Sequence, residues 1–87
     1  MSLTPGEVLE VVRGAVVTVL EVPAATVTRE TRFREDLEAD SLALVEIVEI
    51  VEEALAPRAR PGFHLEDDDL DALTTVGDAV DLVVANA

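Results

Sequence analysis

Apolar residues recur every three or four positions in the longest uninterrupted stretches of this 87-residue chain, the period of an amphipathic α-helix. Leu9, Val12, Val16, Val19 and Leu20 keep that period in the first stretch. Ala43, Leu44, Ile47, Val48, Ile50, Val51, Ala54 and Leu55 keep it in the second, and Val76, Ala79, Val80, Val83 and Val84 in the last. Val16-Val17-Thr18-Val19 is largely β-branched and on its own also reads as a strand. Length and the start signal decide for helix. In Thr4-Pro5-Gly6-Glu7, Thr4 suits the N-cap, Pro5 the first helical position and Glu7 the third position of a capping box. Pro23 ends this helix.

Residues 21 to 40 then form a long connection, pinned to the core by Val22, Val27, Phe33 and Leu37. A loop of that length in so small a chain is unusual and often functional. Its arginines, Arg29, Arg32 and Arg34, are expected to offset Glu30, Glu35 and Asp36 in individually weak surface pairs. Asp40 is a good N-cap for a second helix running roughly from Ser41 to Leu55. Pro57 and Pro61 bracket an Arg-containing loop, and Glu66 to Ala72 reads as a short acidic helix with Leu70 and Leu73 facing inward. Thr75 and Asp78 form another capping box and open the last helix.

Charge narrows the function. Six basic residues, all Arg, against 19 acidic ones leave a net −13. Nucleic-acid binding needs a basic face, and anionic membranes attract one, so both are disfavoured. Complementary charge points instead to protein partners with basic patches. The chain has no Cys, hence no disulfide, thiol nucleophile or thiolate metal site of its own. No secretory signal is expected at the N-terminus, and the apolar runs are too short to span a bilayer, so the cytoplasm is the expected compartment. His64 lacks a second His or a Cys, which makes it a poor metal ligand. Asp67, Asp69, Asp71 and Asp78 echo calcium-loop spacing, but Ala72 stands where that loop needs Gly, so the run reads as a solvated acidic turn. No metal site and no catalytic residue are expected.

On a helical wheel at about 100° per residue, the second helix has an apolar arc and an acidic face. Glu46, Glu49 and Glu53 fall opposite the core arc, with Glu52 near its edge, and Leu42 and Val45 lie among these acids. An apolar centre rimmed by charge suits docking, although stray exposed apolar residues are also common. Ser41, in the first turn behind the Asp40 cap, is well placed for modification, because a helix N-terminus favours an attached phosphate. Ser is also simply common at helix starts.

Phe33-x-x-Asp36-Leu37-x-x-Asp40-Ser41-Leu42, followed by Val45-Glu46 and Glu52-Glu53, resembles the acyl carrier protein family. Leu65-Glu66-Asp67-Asp68 and Leu73-Thr74-Thr75-Val76-Gly77-Asp78-Ala79-Val80 resemble that family's third helix and the start of its fourth. The resemblance implies one all-α domain over residues 1–87. It would be a four-helix bundle of acyl-carrier type, with a long loop between helices 1 and 2 and a short third helix. It implies that a phosphopantetheinyl transferase attaches 4'-phosphopantetheine to Ser41 from coenzyme A, and that Asp40 helps that enzyme bind and place its metal. The arm's thiol would hold acyl groups as thioesters, so a chain without Cys would serve as substrate and shuttle, not catalyst. Leu42, Val45, Glu46, Glu49, Glu52 and Glu53 would dock acyl-loading, ketosynthase-type and other acyl-processing enzymes. The core arc would part for a growing acyl chain. A monomer acting in fatty-acid or polyketide synthesis is expected.

The chain departs from the family pattern at several positions. Glu38 stands where many relatives have Gly, Ala43 where an Asp is frequent, Glu49 where an apolar residue is common and Glu66 where Pro is frequent. Pro57-Arg58-Ala59-Arg60-Pro61 is longer and more basic than usual. These departures point away from a general housekeeping role and toward a dedicated pathway. Two alternatives stand beside this reading. A peptidyl or aminoacyl carrier is one, although those relatives usually have Gly-Gly before the modified Ser. The other is an acidic interaction module that is never modified.

Overall fold

The computed structural model describes residues 3–59 and 61–87. Arg60, in the Pro57–Pro61 loop, lies outside the described residues. Four α-helices follow in order: α1 (Pro5–Leu20), α2 (Ser41–Leu55), α3 (Asp67–Asp71) and α4 (Val76–Asn86), with a 3-10 turn at Ala24–Thr26. Among the described residues the one β feature is an isolated antiparallel bridge between Arg32 and Thr75.

The helix starts follow from local capping. The Thr4 hydroxyl accepts from the Glu7 N–H at 3.2 Å, and Asp40 Oδ1 accepts from the Ala43 N–H at 2.8 Å. Thr75 and Asp78 close a reciprocal box at 3.0 and 3.1 Å. The Glu7 carboxylate departs from the expected box at α1: it accepts from the Thr4 hydroxyl and pairs with Arg58, which ties the loop after α2 to the start of α1. α1 stops at Leu20, before Pro23, because Glu21 turns left-handed at φ 55 and donates its N–H to the Val17 carbonyl.

α1 packs against both α2 and α4. Its core stripe is Val8, Val12, Ala15 and Val16, with Leu9, Val19 and Leu20 only partly buried on its flanks. α2 contributes Leu44, Ile47, Val48, Val51 and Leu55, while Ala43 and Ile50 flank that stripe and Ala54 is exposed. The eight-residue arc expected for α2 is therefore narrower, since a helix in a bundle this small covers only the stripe its neighbours reach. α4 adds Val76, Ala79, Val80 and Val83. The space left among Val12, Phe33, Ile47, Val51, Leu73 and their neighbours is about 10 Å³, room for one water at most.

The long connection is fastened to the far end of the chain. Phe33 is buried and its N–H donates to the Thr74 carbonyl at 3.0 Å. The Val76 and Gly77 N–H groups donate to the Thr31 and Arg29 carbonyls, each at 2.8 Å. Gly77 is required there, because a Cβ would stand 2.9 Å from the Arg29 carbonyl oxygen. Of the four expected anchors, Val27 and Phe33 are fully buried, while Val22 and Leu37 pack at the edge.

Candidate functional site

The end of the loop is built to present the start of α2. The Asp36 and Leu37 N–H groups donate to the Arg32 carbonyl at 3.0 and 3.1 Å, and Asp36 Oδ2 accepts from the Arg32 N–H at 2.8 Å. These bonds from Arg32 hold the Asp36 carboxyl below its ordinary range. The Ala39 N–H closes the turn onto the Phe33 carbonyl at 2.8 Å, and Ala39 itself is buried. Between them Glu38 sits left-handed at φ 55. The chain leaves this turn extended at Asp40 and enters α2 at Ser41. Ser41 is exposed in the first helical turn, with its hydroxyl open to an incoming reagent.

Ser41 borders a groove of about 200 Å³ between α2 and α3, walled by Leu44, Val45, Leu70, Arg34, Asp67 and Asp71. Arg34 Nη2 stands 3.5 Å from Ser41 Oγ. An exposed hydroxyl at a helix N-terminus, beside a cation and a partly apolar groove, fits a phosphate-linked arm.

Leu42 is 68 % exposed, an outlying value for a large aliphatic side chain in this fold. Val45 is half-buried, and Glu46, Glu49 and Glu53 are exposed. These three carboxylates share a second groove, of about 420 Å³, with Thr18, Val19 and Ile50 on the α1 side. The exposed ridge of α2 thus runs between two grooves, with Ser41 and Val45 on one and the acids on the other.

Glu52 differs from the expected acidic rim. Its carboxylate is only 16 % exposed; Oε2 accepts from the Leu65 N–H at 2.7 Å and lies 2.8 Å from His64 Nδ1. The connection returning from α2 to α3 passes over this carboxylate and takes it into the fold, so Glu52 is a fastening residue. His64, expected as a loop His, is mainly exposed and is the other end of that contact.

The loop arginines also pair differently from the sequence expectation. Arg32 does meet Glu35 and Asp36, but Arg29 reaches Asp81 of α4 at 2.9 Å. The backbone pairing of the loop with the start of α4 carries Arg29 there. Arg13, unremarked in the sequence, donates from Nε to the Val27 carbonyl at 3.0 Å. Thr31 was equally silent: it is buried, and its hydroxyl accepts from the Thr28 N–H and donates to the Thr26 carbonyl. Neither lies on a periodic stripe, and only the Thr-rich composition of the loop hinted at side-chain turns.

Asp69 and Asp78, two of the acids with calcium-loop spacing, are occupied as local caps, accepting from Glu66 and from Thr74 and Thr75 N–H groups. Among the described residues no cluster of His, Asp and Glu is arranged to hold a metal ion, and no helix is long and apolar enough to cross a membrane.

Comparison with known proteins agrees with this architecture. The family described as phosphopantetheine attachment site matches residues 10–83. An acyl carrier protein of Rubrobacter xylanophilus is 42% identical over 78 residues, covering 90% of this chain and 89% of that protein. One from Acidothermus cellulolyticus is 38% identical over 87 residues, covering 100% of this chain and 95% of that protein. The solved structure of the acyl carrier protein from Enterococcus faecalis superposes with a TM-score of 0.73 at 32% identity, over 98% of this chain and all of that one. A helix order, a serine-bearing helix start and near full-length similarity all lead to one conclusion: this chain belongs to the acyl carrier protein family, which carries acyl groups on phosphopantetheine.

Proposed function

We propose that Ser41 is the attachment point of the arm. The observation that carries this reading is the exposed Ser41 hydroxyl at the start of α2, held between the Asp40 cap and the groove toward α3. On the transferase, Ser41 Oγ attacks the pantetheine-bearing phosphorus of coenzyme A. The bond from that phosphorus to the adenosine phosphate breaks, adenosine bisphosphate leaves, and a base on the transferase takes the serine proton. The group supplies a thiol on which acyl chains ride as thioesters. Asp40 holds the helix start through Ala43 and presents a carboxylate beside Ser41 for the transferase and its metal. The chain over 1–87 is then one acyl-carrier domain, a monomeric cytoplasmic shuttle that catalyses nothing itself.

Leu42 and Val45 give partner enzymes an apolar contact, and Glu46, Glu49 and Glu53 give their basic patches a charged rim. Because the core holds only about 10 Å³ of space, a long acyl chain enters only if the surrounding elements move apart, and the groove between α2 and α3, which shares Leu44 with that space, is the proposed way in. Fatty-acid or polyketide synthesis is the setting, with a dedicated pathway favoured by Glu49 and the basic Pro57–Pro61 loop. Glu38-Ala39 ahead of Asp40-Ser41 favours an acyl over a peptidyl cargo.

Incubation with coenzyme A and a broad-specificity phosphopantetheinyl transferase, followed by intact mass, tests the assignment. Wild type should gain one arm and Ser41→Ala none. A wild type left unmodified by several transferases would return the chain to the unmodified interaction module.

A further inference from the structure

Arg34 differs from the other described arginines. Arg13, Arg29, Arg32 and Arg58 each have a carboxylate oxygen within 4.0 Å, and Arg34 has none among the described residues. Asp71 and Asp67 line the same groove as Arg34 without pairing to it. Among the described residues its side chain has one polar contact, Ser41 Oγ at 3.5 Å, the outer limit of a hydrogen bond and a poor use of a guanidinium.

Attachment of a phosphodiester to Ser41 changes that balance. The new anion arrives on a chain of net charge −13, beside the carboxylates of Asp40, Asp67 and Asp71. Each of these repels it. Among the described residues, Arg34 is the cation lining this groove, and its guanidinium already stands over the oxygen that becomes the ester link. The non-bridging phosphate oxygens lie two bonds from Ser41 Oγ, within reach of Nη2. A guanidinium meets such oxygens through parallel, charge-assisted N–H bonds that an ammonium cannot reproduce.

We propose that Arg34 is the positioning residue of the modified protein, pairing with the phosphodiester on Ser41 and rooting the arm over the groove between α2 and α3. This rests on Ser41 as the attachment point. Arg34 neither touches the thiol nor takes part in acyl transfer. It sets the direction in which the arm leaves the protein and offsets the local acidic repulsion.

The test uses wild type, Arg34→Gln and Arg34→Lys, each before and after modification, with intact mass confirming the arm. The Arg34 Nε–H proton resonance and the phosphodiester ³¹P resonance are then recorded. On modification of wild type, the Nε–H signal should shift and exchange with water several-fold more slowly. The ³¹P signal of Arg34→Gln should differ from wild type, with Arg34→Lys between the two. Raising NaCl to about 1 M, where the screening length falls to about 3 Å, should move the wild-type ³¹P signal toward that of Arg34→Gln. Because Arg34 is exposed, the unmodified variants should melt as wild type does. An armed wild type with an unmoved Nε–H signal, or coincident ³¹P signals in wild type and Arg34→Gln, overturns the pairing and leaves the carrier assignment intact. A wild type that takes no arm overturns both.

Discussion

Glu38 holds φ 55 two residues before Asp40, in the left-handed region that costs an ordinary side chain about 1–2 kcal/mol. The family tendency toward Gly at this position therefore has a backbone cause. Glu38→Gly removes that cost but loosens the unfolded chain, a loss of about 0.4–1 kcal/mol. The net expectation is a stabilisation of about 0.5–1 kcal/mol, read as a higher urea midpoint with an unchanged slope. Gly77 gives the opposite case. A Cβ there would stand 2.9 Å from the Arg29 carbonyl, so Gly77→Ala should cost about 1–3 kcal/mol in the same assay. The places of Ser41, Asp40 and Leu42 were legible from sequence because their signals are local: a first turn, a cap and an exposed place on the wheel. Val45 was not, since it packs partly on the core and faces the groove toward α3 and not the acids of α2. Nor was the inward turn of Glu52, because it depends on His64 and Leu65 passing back over it in the connection that leads to α3.

The starts of α1, α2 and α4 were equally legible, since the caps Thr4, Asp40 and Thr75 are each written within four residues. The path of the long loop was not. It is set by hydrogen bonds to Thr74, Val76 and Gly77, far along the chain, and no spacing within residues 21–40 encodes them. Asp78 links the two, because it caps α4 just where the loop is fastened. The N–H groups of Thr75 and Thr74 hold its carboxyl below the ordinary range. A lowered folded-state value means that the contribution is present above the unfolded value of about 4 and is lost as pH falls through the folded one. Glu7, lowered by Arg58 and Thr4, and Asp36 act in the same direction. Unfolding followed from pH 5 down to 3 should therefore show a smaller acid loss for Asp78→Asn than for wild type. Parallel profiles would count against this. α3 is the weak element, with five residues and Leu70 as its buried side chain. Amide exchange should be fastest there and slowest in the middle of α1 and α2, and protection of α3 equal to that of α2 would contradict the parting of these helices proposed for acyl entry.

At the scale of the whole molecule, a net charge of −13 on 87 residues makes both folding and encounter sensitive to salt. Charge reversal at Glu46 and Glu53, which line the α1-side groove, should slow loading by partner enzymes at low salt while leaving the fold intact. Loading kinetics equal to wild type would remove those residues from the docking face. The central claim is narrower: the arm attaches at Ser41. Proteolysis of the transferase-treated protein, with fragmentation of the modified peptide, tests it most directly. The account predicts a single modified residue, Ser41, on the peptide spanning the start of α2. An arm found on any other hydroxyl, such as Thr74 or Thr75, would contradict it.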